Sequence, residues 1–436
     1  MQPNRTRRVP FGCILVALLA LGCADQPKPR GRVLLVGIDG AMLRVALPLL
    51  RAGRLPNLDA IARRGVYGPL WSHMPLLSPR IWTSIATGKT PKHHGIMNFA
   101  HEDEAGTQHL YGSADRKGPA LWNIASDAGL SVSVVNWWMT YPLEAVRGVM
   151  VSDHVLAREI QGRRNLTGAV QPEGGPIVYP EAWDEPVRAL AKETRPLTDV
   201  PDPFADPEGF PDWVVPAGLS QHYQSDTWVT RIALEIERRE HPDLQMVFLP
   251  GIDRVSHILW GAIEPDSAYP RPMFTTAERE VAGNALRRYY EYTDALIGTL
   301  LESYGPDDLV IVVSDHGFEA GTGDMPGVTG THDTSRALLG VLFARGPDVE
   351  PPSDSSLRVS VDDITPTILA WLGLPIADDM DGKPAPFLAI DPAEIARVTT
   401  YDTTPIERLG DEPSGAEKAI LENLRALGYL GHDDVQ

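Results

Sequence analysis

The chain has 436 residues, of which 43% are hydrophobic and 22% charged. These proportions are typical of a globular protein with one large α/β domain or two to three smaller ones. The 39 basic and 58 acidic residues give a formal charge of −19, which disfavours a nucleic acid polymer as a partner because both would be negative. Cysteine occurs only at positions 13 and 23, so a metal site in the rest of the chain must use histidine and carboxylate ligands.

Residues 1–23 have the pattern of a bacterial signal peptide. Three arginines precede an apolar run at residues 11–21, which is short for a membrane-spanning helix. The run ends in the sequence ALGC, which resembles a lipobox with Cys23 as the lipidated residue; a plain signal peptide or a short anchor is the alternative. We expect an exported protein, periplasmic or at the cell surface, held to a bacterial membrane by this lipid through a polar tether at residues 24–31.

Strand and helix patterns alternate from residue 32 onward. Short apolar runs bounded by turn residues predict buried strands at residues 33–38, 131–137, 244–250, 309–314 and 338–343. Helical periodicity predicts helices at residues 43–50, 56–64, 120–128, 226–239, 277–304 and 362–372. Such alternation predicts the α/β class, with a mostly parallel central sheet that carries helices on both faces.

The pattern divides the chain into a large core and two further segments. We assign the core to residues 32–375, with residues 155–222 as an inserted cap that partly covers the site; an excursion along the surface is the alternative reading of this segment, which is rich in proline, glycine and acidic residues. Residues 376–436 are expected to pack on the core as a C-terminal extension. This extension should contain an amphipathic helix near residues 417–427 and end in a loose tail.

Acidic and imidazole side chains recur where predicted strands end, which is the edge where open α/β sheets bind ligands. Asp39 follows the first strand, although an aspartate there could also simply cap a helix. Asp315 and His316 follow a later strand as an adjacent pair, and two buried polar groups in succession are costly unless they are paired or bind metal. Asp253 and His257 are spaced to lie on one face of a helix.

Two further residues complete the candidate site. His332 lies in a glycine-rich loop. It is a candidate metal ligand only because the other candidates accompany it. Ser78 begins a helix with Pro79 as the next residue, a usual helix start that can also present a hydroxyl to an anion. Three aspartates, three histidines and one hydroxyl suffice for two divalent ions, Zn²⁺ first and Mn²⁺ as the alternative. Two such ions suit phosphoryl transfer.

In order and spacing, these motifs resemble the type I phosphodiesterase/nucleotide pyrophosphatase branch of the alkaline phosphatase superfamily. The resemblance covers about residues 32–375 and includes the dipeptide at 87–88 and the sequence PKHHGI at 91–96. It implies an alkaline-phosphatase-like fold and a metal-dependent phosphoester hydrolase. It also implies one ion on Asp253, His257 and His332, and a second ion on Asp39, Asp315 and His316, with Ser78 beside the second ion as the nucleophile that forms a phosphoseryl intermediate.

The sequence departs from the family pattern at two positions. The family usually has threonine as the nucleophile and asparagine three residues later to hold the phosphoryl oxygens, whereas this chain has Ser78 and Ile81. Because isoleucine cannot donate a hydrogen bond, another residue must bind the substrate, and the candidates are Arg80, Lys92 and His93.

The expected activity is hydrolysis of a small phosphoester, either a phosphodiester or a nucleotide-like compound. A phosphomonoesterase, a sulfatase-like hydrolase and a phospho-group transferase would use the same core and are the nearest alternatives. A non-catalytic lipoprotein that kept the fold is the alternative from a different class, but it would usually have lost some of the ligand positions that are all filled here.

Overall fold

The computed structural model of the protein describes residues 31–102, 106, 108–155, 175–321, 327–352, 357–403, 405–410 and 421. The predicted signal peptide with Cys23, nearly all of the tether, and most of the helix expected near residues 417–427 lie outside these residues. None of the helices in the described part of the chain is both long and apolar enough to cross a membrane.

A nine-stranded sheet forms the centre of the fold. Its strands in chain order are β1 (Val33–Ile38), β2 (Gly65–Trp71), β3 (Val132–Val135), β4 (Gly148–Val151), β5 (Val178–Tyr179), β6 (Leu244–Leu249), β7 (Leu309–Val313), β8 (Leu339–Arg345) and β9 (Val359–Ser360). Their spatial order is β9-β2-β8-β7-β1-β6-β3-β4-β5. The strands from β7 to β4 are mutually parallel, whereas β8 runs antiparallel to both of its neighbours and β5 antiparallel to β4.

Ten α-helices surround the sheet in the described part of the chain. They are α1 (Leu43–Arg51), α2 (Pro56–Arg64), α3 (Ser78–Thr87), α4 (Pro91–His94), α5 (Leu121–Asp127), α6 (Asp184–Leu190), α7 (Pro216–Glu240), α8 (Gly251–Leu259), α9 (Thr276–Leu301) and α10 (Ile364–Trp371). Alternate residues of β1 face opposite sides: Leu34 and Val36 pack with α1, α2, α7, α8 and α9, and Val33 and Leu35 pack with α3, α5 and α10. The predicted mostly parallel sheet with helices on both faces is therefore confirmed.

The structure contains elements that were not predicted, and one helix begins earlier than predicted. Strands β4, β5 and β9 and helices α4 and α6 were not predicted, because they are only two to seven residues long and show no clear periodicity. Strand β2 was not predicted, because its sequence GVYGPLW contains glycine and proline and only Val66, Gly68 and Leu70 are buried on one face. Helix α7 begins at Pro216, well before the predicted start at residue 226, and so reaches into the segment interpreted as a cap. The polar first turns of this helix hid its periodicity.

The two flanking segments are tied to the core where the structure describes them. Residues 175–222 supply the edge strand β5 and helix α6, and Trp183 and Val187 are buried in the same apolar core as helix α7. In the C-terminal segment, Arg408 pairs with Glu144 in a two-stranded ladder. Lys89, just after α3, binds Asp379 at 2.9 Å and Asp402 at 2.6 Å.

Candidate metal centre and active site

Asp39 leaves β1 at the carboxyl edge of the sheet, where only 2% of its surface is exposed. The next residue, Gly40, has φ +70°, and a Cβ added there would lie 2.9 Å from the Cα of Asp253. Its N–H also donates to Asp315 Oδ1 at 3.4 Å. A glycine is needed at this position both for its left-handed conformation and for the close approach of α8.

Asp315 and His316 leave the neighbouring strand β7 at the same edge. His316 Nε2 lies 3.5 Å from Asp39 Oδ1 and 3.3 Å from Asp315 Oδ2. Its Nδ1 lies 3.0 Å from the carbonyl oxygen of Gly317. A carbonyl only accepts hydrogen bonds, so Nδ1 carries the proton and the Nε2 lone pair faces the two carboxylates.

Helix α8 begins directly after β6, the other neighbour of β1, and carries Asp253 and His257 one turn apart. His257 Nε2 lies 3.4 Å from Asp253 Oδ1, and its Nδ1 lies 3.0 Å from the carbonyl oxygen of Gly330. By the same argument as for His316, Nδ1 of His257 carries a proton, while its Nε2 contacts the carboxylate of Asp253. The predicted spacing of these two residues on one helical face therefore corresponds to a direct contact.

His332 follows the short strand Gly330–Thr331 and completes the group. Its Nε2 lies 3.8 Å from Asp253 Oδ1, and its ring stacks on that of His316 with centroids 4.0 Å apart. The backbone of Leu76, two residues before Ser78, forms a hydrogen bond with this ring. His332 therefore links the buried acids to the segment that leads into α3.

The six side chains form what we call the acid–imidazole cluster: Asp39, Asp253, His257, Asp315, His316 and His332. Two groups within it have ligand atoms within 4.8 Å of one another, namely Asp39 with Asp315 and His316, and Asp253 with His316 and His332. The first group is the predicted second set. In the other group His316 stands where His257 was predicted, and His257 contacts the group through Asp253. His316 thus lies between the two groups.

Burial and mutual repulsion shape the electrostatics of the cluster. Burial and then the charge of Asp315 raise the pKa of Asp39 well above its usual value, and burial likewise raises that of Asp315. For Asp253, burial would raise the pKa, but the neighbouring His257 lowers it below its usual value. Burial and the two nearby imidazoles lower the pKa of His332 well below its usual value. The acids cannot all be charged cheaply without an added cation.

The donor atoms of the cluster are those that a metal ion would use. Asp39 Oδ1, Asp253 Oδ1, Asp315 Oδ2 and His316 Nε2 are all buried without a hydrogen-bond partner. A buried polar atom without a partner costs about 1–3 kcal/mol, so four of them in one place require another explanation. Carboxylate oxygens and imidazole nitrogens at this spacing fit divalent cations of the zinc type.

Ser78 is the first residue of α3 and is 3% exposed. One turn later, Trp82 packs on β1: a Cβ added to Gly37 would lie 2.6 Å from the Trp82 ring. The start of α3 is therefore held next to the strand that ends in Asp39. Ile81, which replaces the family's asparagine, is fully buried in the apolar core, so in this chain that position serves packing.

The three predicted substrate-binding candidates lie in different environments. Arg80 is in the first turn of α3 and is 8% exposed. Lys92 and His93 lie on the exposed side of α4, where His93 Nδ1 is 2.8 Å from Asp381. The structure thus brings Arg80 to the start of the serine helix, whereas it places Lys92 and His93 at the surface.

Two residues that hold the site were not identified from the sequence. His94 of the PKHHGI sequence is fully buried; its Nε2 lies 3.1 Å from Arg80 O and from Ser84 Oγ, and burial lowers its pKa to about 3. Asp226 of α7 accepts the Tyr289 hydroxyl at 3.0 Å and the N–H of Gly251 at the start of α8. His94 was visible within its motif, but nothing in the sequence marked Asp226 among the polar residues of a long helix.

The mostly parallel sheet with helices on both faces, and with buried acids and imidazoles at its carboxyl edge, has the architecture of the alkaline-phosphatase-like fold. The model of the type I phosphodiesterase / nucleotide pyrophosphatase family matches residues 33–334. This match covers more than half of the chain, so the chain belongs to that family.

Individual proteins match this chain either over a small part of their length or at low sequence identity. A phosphopentomutase of Tolumonas auensis is 34% identical over 123 residues, which are 28% of this chain and 26% of that protein; the match thus spans about a quarter of that relative. Among solved structures, a 2-O GAG sulfatase has a TM-score of 0.51 at 14% identity, with 83% of this chain and 74% of that one covered. Phosphonoacetate hydrolase from Sinorhizobium meliloti 1021 has a TM-score of 0.43 at 20% identity, with 68% and 58% covered.

Proposed function

We propose that this protein hydrolyses small phosphodiesters with the help of two divalent metal ions and the hydroxyl of Ser78. The observation that carries the proposal is the acid–imidazole cluster, whose four unpartnered buried donor atoms lie at the edge of the sheet beside the serine helix. The family membership of the chain supports the reaction class.

The residues of the cluster divide between the two proposed ions. Asp39, Asp315 and His316 would hold one ion near Ser78, and Asp253, His332 and His257 would hold the other. When bound, such ions supply positive charge to the phosphoryl oxygens and lower the pKa of a coordinated hydroxyl. The carbonyls of Gly317 and Gly330 fix the orientation of two of the imidazoles, which preserves the ligand geometry.

In the proposed reaction, Ser78 is the nucleophile. Its Oγ attacks phosphorus, a P–Oγ bond forms, and the bond from phosphorus to the leaving oxygen breaks. The departing alcohol takes up a proton, and the serine retains a phosphoryl ester. Water then attacks the same phosphorus, the P–Oγ bond breaks and Ser78 regains its proton, so that a phosphomonoester is released. Attack by a second alcohol in place of water would make the protein a phospho-group transferase.

Hydrolysis of four 4-nitrophenyl esters by the zinc-loaded full-length protein tests this proposal. We expect bis(4-nitrophenyl) phosphate to react faster than 4-nitrophenyl phosphate, and both faster than the phenylphosphonate and sulfate esters. Ser78→Ala should lower kcat/KM for the diester by about 10³-fold or more while metal analysis still finds two ions per chain. Ser303→Ala, at an exposed site beyond α9, is the matched control and should retain full turnover.

Three results would change the proposal. A strong preference for the monoester would make the protein a phosphatase, and a preference for the sulfate ester would make it a sulfatase-like enzyme. Undiminished turnover by Ser78→Ala would remove this residue from the mechanism. Transfer of the phosphoryl group to an added alcohol in preference to water, detected by product analysis, would establish the transferase alternative.

A further inference from the structure

Arg80 is a buried cation that has no acidic partner. It is 8% exposed, and its Nε atom is buried without a hydrogen-bond partner. Its Nη1 donates to the carbonyl oxygen of Met97 at 3.5 Å and its Nη2 to that of Met74 at 3.4 Å, both at the outer limit of a hydrogen bond. Among the residues that the structure describes, no carboxylate forms an ion pair with it. Arginine stays protonated in proteins, so a positive charge is kept here at a cost.

Two acids of this region, Asp362 and Asp381, are engaged with other groups. Asp362 Oδ1 lies 3.1 Å from His73 Nε2, and Asp362 Oδ2 accepts from the Ser360 hydroxyl at 3.4 Å. Asp381 accepts from the backbone N–H of Thr90 and contacts His93. The protein therefore has acids in this region but does not direct them at Arg80. An unpaired guanidinium two residues after the candidate nucleophile indicates that an anion from outside the protein is its partner.

The surface around this cation is apolar. Met74 and Met97, whose carbonyls hold the guanidinium, expose 41% and 46% of their surfaces, which is unusual for methionine. Next to them, Leu77, Phe99 and Trp138 belong to one small apolar cluster, and Leu77 directly precedes Ser78. Methionine side chains adapt to irregular hydrocarbon surfaces. An anion bound by Arg80 would therefore have apolar side chains beside it.

We propose that Arg80, Met74 and Met97 form a substrate subsite for phosphodiesters in which one ester group is an apolar hydrocarbon. Arg80 binds the non-bridging phosphoryl oxygens, in the role that Ile81 cannot perform, and the two methionines contact the hydrocarbon. This inference rests on the proposed phosphodiesterase function and narrows its substrate class from nucleotide-like esters to amphiphilic ones. It makes Arg80 and the methionines determinants of specificity, while the chemistry remains with Ser78 and the acid–imidazole cluster.

A series of alkyl 4-nitrophenyl phosphates with methyl, butyl and octyl groups tests the subsite in the metal-loaded protein. With the wild-type chain, kcat/KM should rise by about twofold for each added methylene, less than full burial of a methylene would give because the methionines are half-exposed. In the double variant Met74→Ser, Met97→Ser this dependence on chain length should disappear. Val215→Ser, at an apolar residue that is 65% exposed, is the matched control and should keep the dependence.

The anion-binding role of Arg80 is measured in the same series. Arg80→Gln should lower kcat/KM by about 30-fold for every chain length, because a hydrogen bond from a charged group to the phosphoryl oxygens is lost. Arg80→Lys, which keeps the charge, should recover part of this loss and also shows whether the site folds. Circular dichroism and metal content of both variants should match those of the wild type.

The outcomes separate this inference from the proposed function. Hydrolysis of the methyl ester with no dependence on chain length would overturn the apolar subsite and leave the phosphodiesterase proposal intact. Equal kcat/KM for Arg80→Gln and the wild type would overturn the role of the cation. If none of the esters reacted, the proposed function would fail, and the subsite with it.

Discussion

Two of the buried clusters of charged side chains in the described part of the chain differ in whether their own members supply all the hydrogen-bond partners. The first we call the Arg116 cluster: Arg116, Trp122, Asn123 and Glu144. Arg116 Nη2 lies 2.7 Å from Glu144 Oε1 and 2.9 Å from Oε2, and the side chains of Trp122 and Asn123 both donate to Oε2. In the acid–imidazole cluster, by contrast, four donor atoms have no partner.

The difference indicates what each cluster is for. The Arg116 cluster has one cation and one anion at zero side-chain exposure, with the remaining hydrogen-bond capacity taken by neighbours, so it needs nothing from outside. The acid–imidazole cluster has three acids and no permanent cation among its members. Burial of both is comparable, so burial by itself does not mark a functional site. An excess of one charge together with unpartnered atoms does mark it.

Metal removal should have the largest effect on the free energy of unfolding, and it should act only through the acid–imidazole cluster. With both proposed sites at 100 times their dissociation constants, chelation should lower the free energy of unfolding by about 5 kcal/mol. Urea unfolding in zinc and in EDTA measures this difference. Asp315→Asn removes a ligand and should reduce the difference by about half. Equal unfolding midpoints in zinc and EDTA for the wild type would show that the cluster does not bind this metal.

Removing one partner of the Arg116 cluster should have the next largest effect. Glu144→Gln leaves a buried guanidinium without its counter-charge, which should lower the free energy of unfolding by about 4 kcal/mol. The loss should be the same in zinc and in EDTA. A double variant, Arg116→Met with Glu144→Leu, serves as the control and should recover part of the loss because no unpaired charge remains. A Glu144→Gln deficit that appears only in zinc would contradict the proposed independence of the two clusters.

Asp226 is intermediate between the two clusters, and its effect should be the smallest at any one step of pH, about 1.4 kcal/mol for each pH unit. One of its oxygens accepts the Tyr289 hydroxyl, the other has no partner, and burial raises its pKa from 3.8 to about 7. Between these two values the folded protein keeps a proton that the unfolded chain has lost. Its contribution to stability is therefore complete below pH 3.8 and is lost as the pH rises toward 7, by up to about 4 kcal/mol over the whole range.

Asp226→Asn should remove this part of the pH dependence, because the amide does not titrate. Urea unfolding of both proteins at pH 4, 5, 6 and 7 in EDTA isolates the effect from metal binding. A difference between the two proteins that stays constant over this pH range would show that Asp226 is already ionised in the folded state.

The sequence predicted the parts of the fold that have strong local signals. The buried strands β1 and β7 are continuous apolar runs. Asp39 and Asp315 were recognised because they follow predicted strands at the edge where open α/β sheets bind ligands. Strand β2 and the first turns of α7 were missed, since glycine, proline and polar residues obscure their periodicity. Elements with a strong local pattern were thus predicted better than elements that are buried only because of the rest of the fold.

The sequence by itself identified the three aspartates and three histidines of the acid–imidazole cluster, the serine at a helix start, and the family to which this order belongs. Only the tertiary structure decided how these residues share space. His316 lies between two groups because β7, β1 and β6 are adjacent in the sheet, an order that no local pattern contains. The structure also shows that Arg80 forms no ion pair with a described acid, whereas Asp362 and Asp381 contact His73 and His93. Whether two charged side chains pair depends on the distance between them in space. For residues far apart in sequence, that distance is set by the packing of the whole core.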